Sequence, residues 1–196
     1  MYIKKLLIVG SLFLVANHGH SDKASMILSG AVLGNGPIKS NGSNKSDNDL
    51  NYGFAALIEA NINGQIGIES GLLWSQKRYV GEFAGFQATS TVNRLHVPIS
   101  LRFWPTDFIS FAAGPYAAFK VGRRSTEIES GAGSMSIQSS ADDSVELGVL
   151  AAATVNIAFY KKFGVFAEGR FLAPLNTKDE EDAKEFMALI GIKLDL

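Results

Sequence analysis

The chain has 196 residues, 46% of them hydrophobic, and its 18 Lys and Arg against 19 Asp and Glu leave a formal net charge of −1. That balance excludes a basic nucleic-acid binder, and the absence of cysteine excludes disulfides and thiol catalysis. The length suits one domain.

Met1 to Lys5 is a short basic segment, Leu6 to Val15 an apolar stretch and Ala16 to Ser21 a small, polar exit, which is the pattern of a cleavable secretory signal peptide. As a helix the apolar stretch is too short to span a bilayer, which takes about 20 residues. The reading is a signal peptide over 1–21 and a mature domain over 22–196, with no lipobox cysteine to anchor it. Loss of Lys4 and Lys5 leaves the mature chain slightly acidic, and loss of His18 and His20 leaves His96 as its one histidine.

Eight segments then alternate, or nearly alternate, with period two: 24–34, 50–60, 65–78, 90–104, 108–122, 145–158, 163–173 and 185–196. Each has about the length of a tilted membrane strand. One face carries Tyr52, Phe54, Ile66, Leu72, Trp74, Leu95, Val97, Ile99, Leu101, Phe103, Phe111, Leu147, Val149 and Phe163. The other carries bases and acids among small residues: Glu59, Glu69, Lys77, Arg94, His96, Arg102, Lys120, Glu146, Glu168, Arg170, Lys193 and Asp195, with Ser75, Ser100, Ser110, Tyr116, Thr154 and several glycines. Small residues beside long charged ones suit a narrow barrel interior, where side chains from all strands converge. Six bases against five acids in such a bore predict cross-strand ion pairs that plug it, with Glu168 and Arg170 meeting Arg102 or Lys193.

The links alternate in length. Asn61 to Gly64, Pro105 to Asp107 and Phe159 to Lys162 read as tight turns, whereas 35–49, 79–89, 123–144 and 174–184 read as longer outer loops, of which 35–49 and 123–144 are polar enough to have mobile tips. Short periplasmic turns alternating with longer outer loops are the pattern of an outer-membrane barrel. Aromatics fall near several strand ends, where a membrane interface favours them. Pro98 and Pro115 are expected to mark bulges or bends in the wall.

The run Leu95-His96-Val97-Pro98-Ile99-Ser100-Leu101-Arg102-Phe103, followed by Ala113-Gly114-Pro115-Tyr116 and preceded by Gly71-Leu72-Leu73-Trp74-Ser75-Gln76-Lys77, resembles the porin-like outer-membrane β-barrel family that includes the PorT-type proteins. The closing Gly191-x-x-Leu194-x-Leu196 resembles the C-terminal signal by which bacterial outer-membrane barrels are recognised by their assembly machinery. The resemblance implies a bacterial outer-membrane barrel whose roles across the family are diverse.

No chemistry stands out. His96 has no carboxylate beside it on its own strand, so no catalytic residue is assigned. One histidine and no cysteine leave no metal or cofactor site, and the acidic Asp142-Asp143 and Asp179 to Asp182 read as solvated loops. The expected architecture is all-β: an eight-stranded antiparallel up-and-down transmembrane barrel behind a signal peptide. Its expected role is a non-enzymatic scaffold or surface-interaction protein with a charge-plugged interior. Its partners would be outer-membrane lipid and lipopolysaccharide, the assembly machinery and an extracellular partner met through 35–49 and 123–144. Two alternatives are a narrow channel for ions or very small solutes, and an exported soluble lipocalin-like binder of hydrophobic ligands.

Overall fold

Among the described residues the chain forms nine antiparallel strands. The computed structural model describes residues 26–37, 51–83, 86–130, 133–140, 145–160, 162–176 and 184–196; the proposed signal peptide and most of the 35–49 loop lie outside them. The strands are β1 (Met26–Pro37), β2 (Asn51–Asn61), β3 (Ile66–Phe83), β4 (Phe86–Phe103), β5 (Ile109–Ser130), β6 (Gly133–Ser140), β7 (Val145–Tyr160), β8 (Phe163–Pro174) and β9 (Glu185–Asp195). Sheet order runs β4-β3-β2-β1-β9-β8-β7-β5-β6, and a further β4–β5 pairing closes eight of them into a barrel that leaves β6 outside. First and last strands meet from Ile27↔Asp195 to Pro37↔Glu185.

The phase of each strand is set by which face is apolar. Leu28, Val32, Phe54, Leu72, Ile99, Leu101, Phe111, Leu147, Val149, Val155, Ile190 and Ile192 all stand exposed on the outer wall. Glu59, Glu69, Lys77, Arg94, His96, Arg102, Glu168, Arg170 and Lys193 point inward and are buried. An apolar outside and a charged inside fit a barrel in hydrocarbon, and a lipocalin-like barrel requires the opposite phase. Phe54 and Trp74 stack on neighbouring strands with centroids 5.1 Å apart.

Tight connections gather at one end. In the β2–β3 turn Gly64 takes φ +83°, a left-handed value that a side chain resists, and its N–H donates to Asn61 Oδ1 at 2.7 Å. The third turn is shorter than the sequence implies. Phe159 and Tyr160 belong to β7, and Tyr160 pairs with Phe163, leaving only 161–162 to reverse the chain.

Two of the links expected to be loops are instead strand. β3 and β4 continue in register to Phe83↔Phe86 through the span 79–89. Likewise 123–144 is largely a β-hairpin, in which β5 runs to Ser130 and pairs with β6 from Arg123↔Ser140 to Ser130↔Gly133. The segment 123–144 is polar, and in 79–89 the apolar residues Tyr79, Val80, Phe83 and Phe86 do not keep a period of two, so alternation had little to detect; it is pairing to the strands below them that orders them. With 18, 18 and 22 residues, β3, β4 and β5 exceed the 9–11 or so that a membrane strand needs. The excess, at about 3.3 Å per residue, carries a four-stranded sheet some 20–30 Å along the strands beyond the barrel.

The bends also lie elsewhere than the prolines suggest. Pro98 leaves the β3–β4 register unchanged on either side of it, and Ser70 Oγ donates to its carbonyl oxygen at 2.8 Å. Pro115 likewise sits in unbroken register opposite Val149. The irregularities are a bulge on β5 between Val121 and Ser125, where Gly122 has φ +84°, and one on β7 between Asn156 and Ala158.

Tyr116 lies directly opposite Gly148, and a Cβ on Gly148 would run into the Tyr116 ring and the Ala173 carbonyl oxygen. Gly148→Ala should therefore destabilise the barrel by about 1–3 kcal/mol. Gly30→Ala, with nothing within 4 Å of the new methyl, should change it by less than about 0.5 kcal/mol. Urea unfolding followed by heat-modifiable gel mobility measures both.

Candidate functional site: the banded interior

Inside the barrel the side chains form three bands. Nearest the tight turns, seven strands each send a polar group to one point: Glu59 (β2), Glu69 (β3), Arg102 (β4), Ser110 (β5), Thr154 (β7), Glu168 and Arg170 (β8), and Lys193 (β9). Arg102 is the hub. Its Nη2 bonds Glu69 and reaches Glu168 Oε2 at 2.8 Å, and its Nη1 donates to Ser110 Oγ at 2.8 Å and Thr154 Oγ1 at 2.6 Å. Its Nε lies 3.7 Å from Glu59 Oε2. Arg170 donates to Glu168 Oε1 through Nε at 2.8 Å and Nη2 at 2.5 Å, and to Glu69 Oε1 at 2.9 Å. Lys193 Nζ donates to Glu59 Oε1 at 2.8 Å and sits 5.1 Å over the Phe166 ring.

Three acids and three bases make this band neutral. That matters because Glu59 and Glu69 are direct cross-strand partners, a like-charge opposition that is unfavourable unless cations stand against both. Burying ions costs several kcal/mol each, offset here only by mutual contacts and added hydroxyl bonds.

Above that band the interior turns apolar. Moving up the strands, the inward positions become Leu33, Leu57, Leu73, Leu150, Leu172, Met187 and Leu189, all buried in one cluster. Buried serines border this layer: Ser29 on β1, opposite Leu57, and Ser100 on β4, opposite Glu69.

Polar groups return in the third band, toward the outer mouth. Arg94 bonds Glu146, which also accepts from Tyr116 Oη at 2.8 Å. Asn35 bonds Glu185 and donates to the Gln76 carbonyl at 3.1 Å. Ser75 Oγ and His96 Nε2 lie 3.0 Å apart. Both side chains are buried, and among the described residues His96 Nδ1 has no hydrogen-bond partner.

Of the charged residues singled out in the sequence, the structure brings Glu59, Glu69, Glu168, Arg102, Arg170 and Lys193 together in one band. Arg94, Glu146 and His96 share the upper band with buried Lys77, whereas Lys120 is half-buried at the mouth, directly opposite Arg94. Asp195 is a correction: it keeps the inward parity but stands at the barrel rim, exposed to solvent. Glu185 and Asn35 were missed, although Glu185 shares parity with Lys193 along β9. The apolar band was missed as well, because Leu and Met on an otherwise polar face read as noise in the alternation. Gly191 pairs with Ala31, where a Cβ would run into the Gly30 carbonyl oxygen, and Leu196 N–H donates to the Met26 carbonyl at 2.9 Å.

Among the described residues no group of three His, Asp or Glu could hold a metal ion. The acidic segments 142–143 and 179–182 lie outside them.

Residues 21–179 match the family described as outer membrane protein beta-barrel domain. In fold the chain is similar to Ail, the attachment invasion locus protein of Yersinia pestis, in complex with the heparin analogue sucrose octasulfate: 12% identity, 89% of this chain and 99% of that one, TM-score 0.55. It is also similar to the outer membrane protein OprG from Pseudomonas aeruginosa: 10% identity, 91% and 98% coverage, TM-score 0.56. No curated protein matches the sequence.

Removing the hub should expose how the inner band is balanced. Arg102→Met leaves three buried carboxylates facing two cations and should cost about 3–5 kcal/mol. Adding Glu69→Gln should recover part of that loss, as measured by urea unfolding of the chain in lipid vesicles.

Proposed function

Because the chain belongs to the outer-membrane β-barrel domain family, we propose that it works in the bacterial outer membrane as a scaffold that presents an extracellular surface, and that its bore is a structural plug. The observation carrying this reading is the banding of the interior. A neutral ion network tied to seven strands is stacked under an apolar layer, an arrangement that supports a filled bore. Binding surface is provided instead by the extension of β3 to β6.

Within the family we assign the chain to the porin-like, PorT-type group on the run 95–103 and on Gly114-Pro115-Tyr116. Residues 1–21 would direct export, and Gly191, Leu194 and Leu196 would engage the assembly machinery. Lipid and lipopolysaccharide would surround the apolar wall. An extracellular partner would be met through the 35–49 loop and the hairpin within 123–144. The Ail structure holds a sulfated ligand, and here Arg123, Arg124 and Lys120 offer positive charge at the base of the extension.

The narrow-channel reading has one observation in its favour. Ser100 Oγ, and in the upper band His96 Nδ1, are buried without partners along the β4 wall, where water would satisfy them.

Conductance separates the two readings. The chain refolded into lipid vesicles should show heat-modifiable mobility and no discrete current steps. Steps that disappear in Ser100→Leu would replace the scaffold with a channel.

A further inference from the structure

Seven barrel strands meet directly in the inner band, and β1 is the one that does not. The inward positions of β1 are Ile27, Ser29, Ala31, Leu33 and Asn35, and Asn35 makes its bonds in the upper band, to Glu185 and the Gln76 carbonyl. Ser29 is the polar side chain that β1 turns toward the inner band. It pairs with Lys193 on β9 and with Leu57 on β2, which places it diagonal to Glu59 on the same face. Lys193 Nζ donates to Glu59 Oε1 at 2.8 Å, so an ion pair between the two neighbours of β1 spans that strand beside Ser29.

Three atoms in this corner of the band are buried and have no hydrogen-bond partner among the described residues: Ser29 Oγ, Glu59 Oε2 and Arg102 Nε. Arg102 Nε lies 3.7 Å from Glu59 Oε2, too far for a hydrogen bond and close enough for one small molecule to touch both. Their chemistry is complementary. Arg102 Nε has one N–H to give, Glu59 Oε2 accepts, and the Ser29 hydroxyl does either. Charge then selects what fits between them. Glu59, Glu69 and Glu168 already balance Arg102, Arg170 and Lys193, so a further cation or anion would leave a buried net charge, whereas a neutral molecule would not. A water can accept one hydrogen bond and donate two, which is what these three atoms require.

We propose that one water is held by Arg102 Nε, Glu59 Oε2 and Ser29 Oγ, and that it ties β1 into the ion network at the seam where β1 closes the ring against β9. The water accepts from Arg102 Nε–H and donates to Glu59 Oε2 and Ser29 Oγ. Through it the Arg102 hub reaches the eighth strand. β1 depends on this tie because Gly30, Gly34 and Gly36 occupy its outward positions and give it no side chains to pack there. The inference concerns how the ring is sealed, beyond the surface role proposed above, and it stands or falls apart from that role.

The test is NOE and ROE spectroscopy of the full chain in lipid nanodiscs, with Arg102 Nε–H as the probe. A cross-peak to the water resonance is expected, with the sign of a water that tumbles with the protein. It should persist in Ser29→Ala, where no serine hydroxyl is left to produce it, and vanish in Ser29→Val, whose larger side chain fills the space and suits a strand. Both variants should keep heat-modifiable mobility. In both, amide exchange in β1 from Ile27 to Ala31 should quicken roughly tenfold relative to β7 and β8, equivalent to about 1.4 kcal/mol, as loss of one buried hydrogen bond implies. No cross-peak in the unaltered chain overturns the proposal, as does its loss in Ser29→Ala or its persistence in Ser29→Val. Exchange in β1 that is unchanged in both variants overturns the tie. An Arg102 Nε–H resonance that shifts saturably with potassium or chloride would put an ion in place of the water, and would also overturn it.

Discussion

In hydrocarbon a backbone N–H or C=O has no water to turn to, so each must be satisfied by another strand. The pairing of β1 with β9, over the full length of both, satisfies the edges that would otherwise remain. Closure then forces everything else. Once the eight strands ring a common axis, half of every strand's side chains are confined to a narrow bore and the other half to lipid. Tyr116 lying over Gly148, and Gly191 opposite Ala31 where a Cβ would meet the Gly30 carbonyl oxygen, are local consequences of that crowding.

The bore answers the crowding with charge at one level and hydrocarbon at the next. Opposing Glu59 to Glu69 across neighbouring strands is unfavourable in isolation, and Arg102, Arg170 and Lys193 converge from β4, β8 and β9 to reverse its sign. Because Arg170 on β8 reaches Glu69 on β3, Arg102 on β4 reaches Glu168 on β8, and Lys193 on β9 reaches Glu59 on β2, the network ties strands that share no ladder. It is therefore a closure device as much as a plug. The leucine-rich band above it removes water from one side of the network, which strengthens its contacts and raises the cost of leaving any member unpaired.

Closure governs only the membrane span. Past it, β3 to β6 are free to continue as an open sheet, and the Gly122 bulge marks the transition. The bulge sets two adjacent arginines into the step: Arg124 Nε donates to Ser90 Oγ at 2.7 Å, and exposed Arg123 contacts Gln138. Unlike the barrel, this sheet does not close on itself: among the described residues β6 is its last strand.

Alternation in the sequence was enough to determine the barrel wall, its eight strands and the phase of nearly every residue from Tyr52 to Lys193, since lipid outside and a narrow bore inside impose opposite chemistry on successive positions. It also showed that the inward charges nearly balance. It did not reveal which charges meet, because Arg102 and Glu168 lie 66 residues apart and only the order and stagger of the strands bring them to one level. Nor could it find the extension: Arg123 to Ser140 has the composition of a loop, and its strands exist because the ladders of β4 and β5 below supply a register to continue. Local pattern encodes the environment on each side of a strand. The height at which side chains from different strands coincide is set by closure of the ring, which is a property of the whole chain.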